Sequence, residues 1–364
     1  LRQADEKSMM HLVRSPCEDE TLSSWLYRQS KLHGLPPHSY TAQSLPGIEI
    51  WTRDVDRWLP KAKIRRIARS LGLDHAAIEG MTLAGRYSDI LGEIREYSSA
   101  HWILPVGVYH RRRRRHGQQF CPECYLERGV IKLSWRLAWN SFCEEHQCPL
   151  MDACALCDAP ITLFYTDPYR HTVCFNCGHD IAPLGEKGRH YDLSVAFSRR
   201  FAISLAGDAI DSGSLRTLMT LQLGQLQGRR LHYTWSSRIG VAPIEGMPGR
   251  WEYIRASHRR ALIAATEAAL QAGRDRIVID LIEHGITREC LRNYHIGPNF
   301  WLAQYVCPKI DSNPRAPKSR ANYKAEMADP LKKIQRKHTG VNRTARAEAR
   351  ARCIDYILRK TPQS

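Results

Sequence analysis

Seven cysteines and one histidine fall into four pairs, each with two residues between its partners. This spacing constrains the fold more than any other feature of the chain. A two-residue gap lets a tight knuckle aim both donors at one ion, whereas an oxidative framework needs no such gap. Cys121 and Cys124 (FCPECYL) precede Cys143 and His146 (FCEEHQCPL), and Cys154 and Cys157 (CALC) precede Cys174 and Cys177 (CFNC). About 16 to 18 residues separate the halves of each set, enough for a loop or hairpin that brings two knuckles together. Each set supplies four donors, so the reading is two closed, tetrahedral, structural Zn²⁺ ions per chain. A catalytic zinc would keep one position open for water, which disfavours a metallohydrolase.

The neighbouring residues are read as bystanders. Cys148, two residues past His146, is expected to be a small buried residue because the Cys-x-x-His pair already closes its set. His171 and His179 are not expected to ligate. Cys17, Cys290, Cys307 and Cys353 stand alone and read as free thiols. Trp135 and Trp139, four apart in LSWRLAWNSF, read as a packed helix face joining the halves of the first set.

The flanks carry helical periodicity, so the fold class is mainly α around a central tandem zinc region. Residues 10–105 form the first helical part. Leu22, Trp25, Leu26 and Leu32 share one helical face that Gly34 ends. KAKIRRIARSL places Ile64, Ile67, Ala68 and Leu71 on one stripe; Gly72 breaks it, Asp74 caps a second helix, and Ala77, Ile78 and Met81 form the buried side. This is helix-turn-helix spacing, and also that of an ordinary helical hairpin. The zinc region spans 117–182. Over 190–310 helices return, with Leu215, Leu218 and Leu221 on one stripe and a long segment that Gly273 ends. DRIVIDLIEHGITRECLRNY repeats the plan: Ile277, Leu281 and Ile282 pack, Gly285 turns and Thr287 caps. Arg288 and Arg292 would then be exposed for bidentate contacts to base edges, or merely solvated.

Charge adds a partner class. The chain of 364 residues carries 54 Lys or Arg against 37 Asp or Glu, a net +17. Residues 311–364 read as a basic tail; from Trp301 onward there are 15 cationic and 5 acidic side chains. A second concentration is Arg111, Arg112, Arg113, Arg114 and Arg115 in one run. Such blocks suit phosphates, whose condensed counterions are released when cations approach. No apolar run is long enough to span a bilayer and the opening residues lack a signal core, so a cytoplasmic protein without a membrane partner is expected. No GxxxxGK[ST], HExxH or GxSxG occurs, and no carboxylate trio stands out, so no catalytic residue is assigned.

FCPECYLERG, LSWRLAWNSFCEEHQCPLMDACALCDAPI and CFNCGHDI together resemble the zinc core of the TniQ/TnsD family of transposon target-selection proteins. EDETLSSWLYRQSKLHG resembles that family's start, and LGLDHAAIEGMTL its N-terminal helix-turn-helix; the likeness spans roughly residues 10 to 182. The resemblance implies that the eight paired residues ligate zinc and that the protein neither cuts nor joins DNA. It implies a target-selection adaptor linking a Cascade-like, RNA-guided CRISPR complex on target DNA to an AAA+ ATPase regulator and the transposase, acting as a homodimer and nucleoid-associated when bound. The alternatives are a TnsD-like protein that reads an attachment site directly, which the basic segments favour, and a zinc-containing transcriptional regulator.

Overall fold

Thr21 starts the first helix, α1 (Leu22–Leu32), by accepting a hydrogen bond from the Ser24 N–H (3.2 Å). In this computed structural model, which describes residues 13–96, 101–167, 169–181, 191–206, 210–226, 251–283, 286, 288, 291 and 301–310, α1 is buried on every side from Leu22 to Ser30. The single apolar face expected from Leu22, Trp25, Leu26 and Leu32 is therefore only part of the pattern, and Leu32 itself is 39% exposed. The remaining sides bury polar groups, each with a partner. The Ser23 N–H and hydroxyl donate to Asp56 (2.7 and 2.6 Å), and the Ser24 hydroxyl donates to Glu20 (3.0 Å). Arg28 binds both oxygens of Glu20 (2.7 and 2.8 Å). A polar helix can be buried when such bonds replace those to water.

The chain divides into two compact units, residues 1–187 and 188–364. Within the first, α1 serves two cores. Leu22, Trp25 and Leu26 pack with Tyr40, Ile64, Ile67, Leu71 and Ile78, while Tyr27 packs with Phe120, Tyr125 and the cysteines. Pro37 opens α2 (Pro37–Ser44). The amphipathic α3 (Lys61–Leu71) buries Ile64, Ile67, Ala68 and Leu71 as expected and ends on left-handed Gly72 (φ 67°). Asp74 caps α4 (His75–Gly80), Thr82 caps α5 (Leu83–Leu91), and Ile78 and Met81 are buried while Ala77 faces solvent. Thus α3 and α4 pack as a short helical hairpin whose second member has six residues. Two-residue strands β1 (Val108–Tyr109) and β2 (Arg112–Arg113) pair antiparallel, and α6 (Pro122–Arg128) follows.

Trp135 and Trp139 are both buried, but they do not share a helix. Leu133–Arg136 is a single 3₁₀ turn, after which Leu137 is extended and bridges Ile103. Buried Arg136 holds this stretch to the turn between α2 and α3 through Asp54 (3.0 and 2.7 Å), and also binds the Leu104 carbonyl (2.9 Å).

The second unit contains α7 (Tyr191–Ala206), α8 (Ser212–Leu226), α9 (Ala256–Gln271) and α10 (Arg274–Glu283), with α9 packed on α7 and α8. Leu215, Leu218 and Leu221 are buried, as are Ile277 and Leu281, but Ile282, expected to pack, is 51% exposed. Nearly buried Glu267 of α9 clasps Arg200 of α7 (2.8 and 2.9 Å). Gly285, Thr287, Cys290, Arg292 and the basic tail lie outside the described residues.

Candidate metal centres and the arginine hairpin

Three of the four donor pairs sit in the same turn. In Cys143–Cys148, Cys154–Ala159 and Cys174–His179 the first cysteine's N–H donates to the carbonyl five residues on (2.9, 2.9 and 2.7 Å). The residue after the second donor adopts a left-handed conformation in each: Gln147 (φ 52°), Asp158 (φ 62°) and Gly178 (φ 74°). That twist folds the two donor side chains to one side. The fourth pair uses a helix instead. Cys121 is the N-cap of α6, and its Sγ accepts the Cys124 N–H (3.4 Å). Reciprocal backbone bonds between Phe120 and Met151 (2.8 and 2.9 Å) lay this helix beside the knuckles.

Two four-donor groups result: Cys121, Cys124, Cys143 and His146, and Cys154, Cys157, Cys174 and Cys177, each within 4.8 Å of one another. A tetrahedral zinc with Zn–S of about 2.3 Å and Zn–N of about 2.0–2.1 Å places its sulfurs about 3.8 Å apart and sulfur from nitrogen about 3.5 Å. The separations fit. Cys124 and Cys143 are 3.7 Å apart, Cys121 and Cys143 lie 3.5 and 3.7 Å from His146 Nδ1, and Cys124 lies 3.2 Å from it. In the second group Cys154–Cys177 and Cys157–Cys174 are 3.7 and 3.6 Å apart. These sites could each hold a metal ion.

The surroundings suit that chemistry. With Nδ1 toward the sulfurs, His146 turns Nε2 to Glu127 (3.3 Å), which fixes the ring and raises its donor strength. Three thiolates around a dication leave one negative charge, met by Arg128 at Cys124 Sγ (3.4 Å). In the second group the Asn176 amide donates to Cys157 Sγ (3.5 Å) and holds that thiol down to about 6. Burial pushes Cys174 up to about 12, so metal binding there releases a proton. Cys148 is buried beside Cys121 (3.4 Å) but outside the four-donor group; it fills the turn position that Ala159 and His179 fill in the other knuckles.

The five arginines do not form a uniform run. They belong to a hairpin in which Val108 pairs with Arg113 and Tyr109 with Arg112. His110 and Arg111 form its tip, both with positive φ (45° and 65°), where Asn-Gly would be the low-strain choice. Arg113 points inward: its side chain is 9% exposed and lies 3.6 Å from buried Asp56. Burial pushes the Asp56 carboxyl up, with Arg113 opposing it. That anchor leaves Arg111, Arg112, Arg114 and Arg115 exposed. Three of these rest on aromatic rings: Arg111 on Phe164 (5.6 Å), Arg112 on Tyr165 (5.8 Å) and Arg114 on Tyr109 (3.8 Å). Neither the inward anchor nor the aromatic seats can be read from the run itself, since Phe164 and Tyr165 lie some fifty residues away.

In the second unit, half-buried Arg288 donates Nε to the Cys307 carbonyl (3.0 Å) and Nη2 to that of Ile310 (3.1 Å). Those donors hold the chain rather than face outward.

No curated protein matches the chain. The TniQ family model matches residues 12–150, taking in α1 to α6, the arginine hairpin and the complete first donor group, while the second group lies beyond it. Residues 12–150 of the chain are therefore similar to a TniQ domain.

Proposed function

We propose that this chain is a non-enzymatic target-selection adaptor in transposition. The TniQ match over residues 12–150 carries the reading, since it implies a transposition-associated role in target selection or DNA binding. Two Zn²⁺ ions per chain are proposed to fill the donor groups. Each group already offers four protein ligands, the arrangement of a structural rather than a catalytic zinc. The partners proposed are a Cascade-like RNA-guided complex on target DNA and an AAA+ ATPase regulator that delivers the transposase. Holding both on one scaffold raises the effective concentration of the second at the target without chemistry by the adaptor. A homodimer would supply two copies of each surface.

Direct reading of an attachment site is the second proposal, and the arginine hairpin favours it. Four exposed arginines, three of them on aromatic rings, suit phosphate and base contact, at the cost of a strained tip. Co-purification with and without an RNA-guided effector tests the choice. Stable capture by the effector, followed by effector-dependent recruitment of the ATPase, supports the adaptor; tight site-specific duplex binding by the chain alone supports the second reading.

A further inference from the structure

Two cations in the first unit, Arg14 and Lys31, serve neither the metal centres nor the hairpin. Residues 13–17 are strapped across α1. The Arg14 carbonyl accepts from Trp25 Nε1 and Gln29 Nε2 (both 2.8 Å), and its N–H donates back to Gln29 (3.0 Å). Arg28 Nη2 donates to the Ser15 carbonyl (3.2 Å). Against this strap lies an open cavity of about 610 Å³ whose wall includes Arg14, Ser15, Lys31, Glu127, Arg128 and His171. Ligand sites commonly measure about 300–1,000 Å³.

The cations there are of two kinds. Arg28 and Arg128 are matched by the carboxylates of Glu20 and Glu145. Arg14 and Lys31 have no carboxylate partner among the described residues. Lys31 Nζ instead meets His171 Nδ1 (3.3 Å), a contact in which the ring nitrogen accepts. Burial and then Arg14 push the Lys31 pKa down; burial and then Lys31 do the same to His171. Two like charges thus share a half-enclosed space, which an arriving anion would relieve. The wall's carboxylate, Glu127, is occupied with His146 (3.3 Å) and Arg128 (3.9 Å).

We propose that this cavity binds a phosphodiester of a nucleic-acid backbone, with Arg14 and Lys31 as charged donors to the phosphate and the Ser15 hydroxyl beside them. The hydrogen-bonded backbone of Arg14 anchors the root of its side chain at the cavity wall, and the cavity is large enough for the sugars flanking a phosphate. Such a contact fixes register and carries no sequence information. The proposal rests on the reading that the chain works at DNA, and it adds a contact separate from the hairpin arginines.

The test uses the full, zinc-loaded chain and a random-sequence DNA duplex over a series of salt concentrations. Arg14→Gln and Lys31→Gln are compared with the unchanged chain and with charge-conserving Lys31→Arg; zinc content and thermal unfolding verify the fold. Each neutral variant is expected to bind several-fold more weakly and to lose about 0.9 from the log–log salt slope, with Lys31→Arg retaining the slope. The same decrements should appear when Arg111, Arg112, Arg114 and Arg115 are already Ala. Folded Gln variants with unchanged affinity and slope overturn the phosphate site while leaving DNA binding standing. An unchanged chain that binds no duplex even at low salt overturns both. In that case, inorganic phosphate that stabilises the unchanged chain against heating, but not Lys31→Gln, would assign the cavity to the free anion.

Discussion

Cys121 and Cys157 do the same job in different surroundings, and their replacement should differ accordingly. Cys121 is fully buried in the cluster that includes Tyr27 of α1, Phe120 and Tyr125, whereas Cys157 is half-buried at the edge of that cluster. If both groups hold zinc, metal analysis should find two ions per chain, and either Cys→Ser change should remove one. Cys121→Ser should also lower the melting temperature far more, because loss of its ion loosens the seat of α1; equal losses would contradict the arrangement. A second residue-scale prediction concerns Asp54. Burial works against its charge, yet Arg136 overrides this and holds the carboxyl below the usual carboxylate range. A folded pKa below the unfolded value stabilises the fold above about pH 4 and ceases to do so as pH falls through the lower, folded value. Asp54→Asn leaves Arg136 a buried, unpaired charge, so at pH 7 it should cost about 3–5 kcal/mol in denaturant unfolding. The gap from the unchanged chain should close in acid. Asp56, which burial pushes upward, Arg113 opposes and the Asp54 charge raises further, loses that last contribution in Asp54→Asn.

At the scale of elements, the sequence is most informative where one local rule decides the outcome. Spacing alone picks out all eight candidate metal donors, and the stripe Ile64, Ile67, Ala68 and Leu71 with Gly72 picks out α3. It is least informative where a distant partner decides. Ser23 and Arg28 look like solvent residues of an amphipathic helix until Asp56 and Glu20 bury them, and Arg113 looks like its neighbours until Asp56 turns it inward. Trp135 and Trp139 have helical spacing, but backbone bonds from Leu104 to Arg136 and from Ala138 to Trp102 take that stretch into extended form. The hairpin tip makes the element-scale prediction. His110 and Arg111 occupy positions where Asn and Gly relieve strain, so replacing them with Asn-Gly should stabilise the chain by about 1–2 kcal/mol in denaturant unfolding. It should also weaken duplex binding by removing one exposed cation. If stability rises while binding is untouched, the strain serves something other than nucleic-acid contact.

For the whole molecule, the open matter is what supplies sequence information. The chain has a net charge of +17, and no helix among the described residues is long and apolar enough to cross a membrane. A basic surface binds any duplex, so charge alone cannot select a target. Under the adaptor reading, guide pairing supplies the sequence and the protein adds phosphate contacts. Alanine at Arg111, Arg112, Arg114 and Arg115 should then weaken binding about equally on every duplex and reduce the salt slope by about 0.9 for each phosphate no longer neutralised. Under direct reading, single arginines at base edges would cost about 1–3 kcal/mol on one preferred sequence and little on others. Arg292 is the remaining candidate of that kind in the second unit, since Arg288 spends Nε and Nη2 on the Cys307 and Ile310 carbonyls. Under the adaptor reading, Arg292→Ala should instead change affinity similarly for random and candidate attachment-site duplexes, measured at two salt concentrations. A thousandfold site preference held by the chain without any guide complex, and lost in Arg292→Ala, would transfer target choice from the guide to the protein itself.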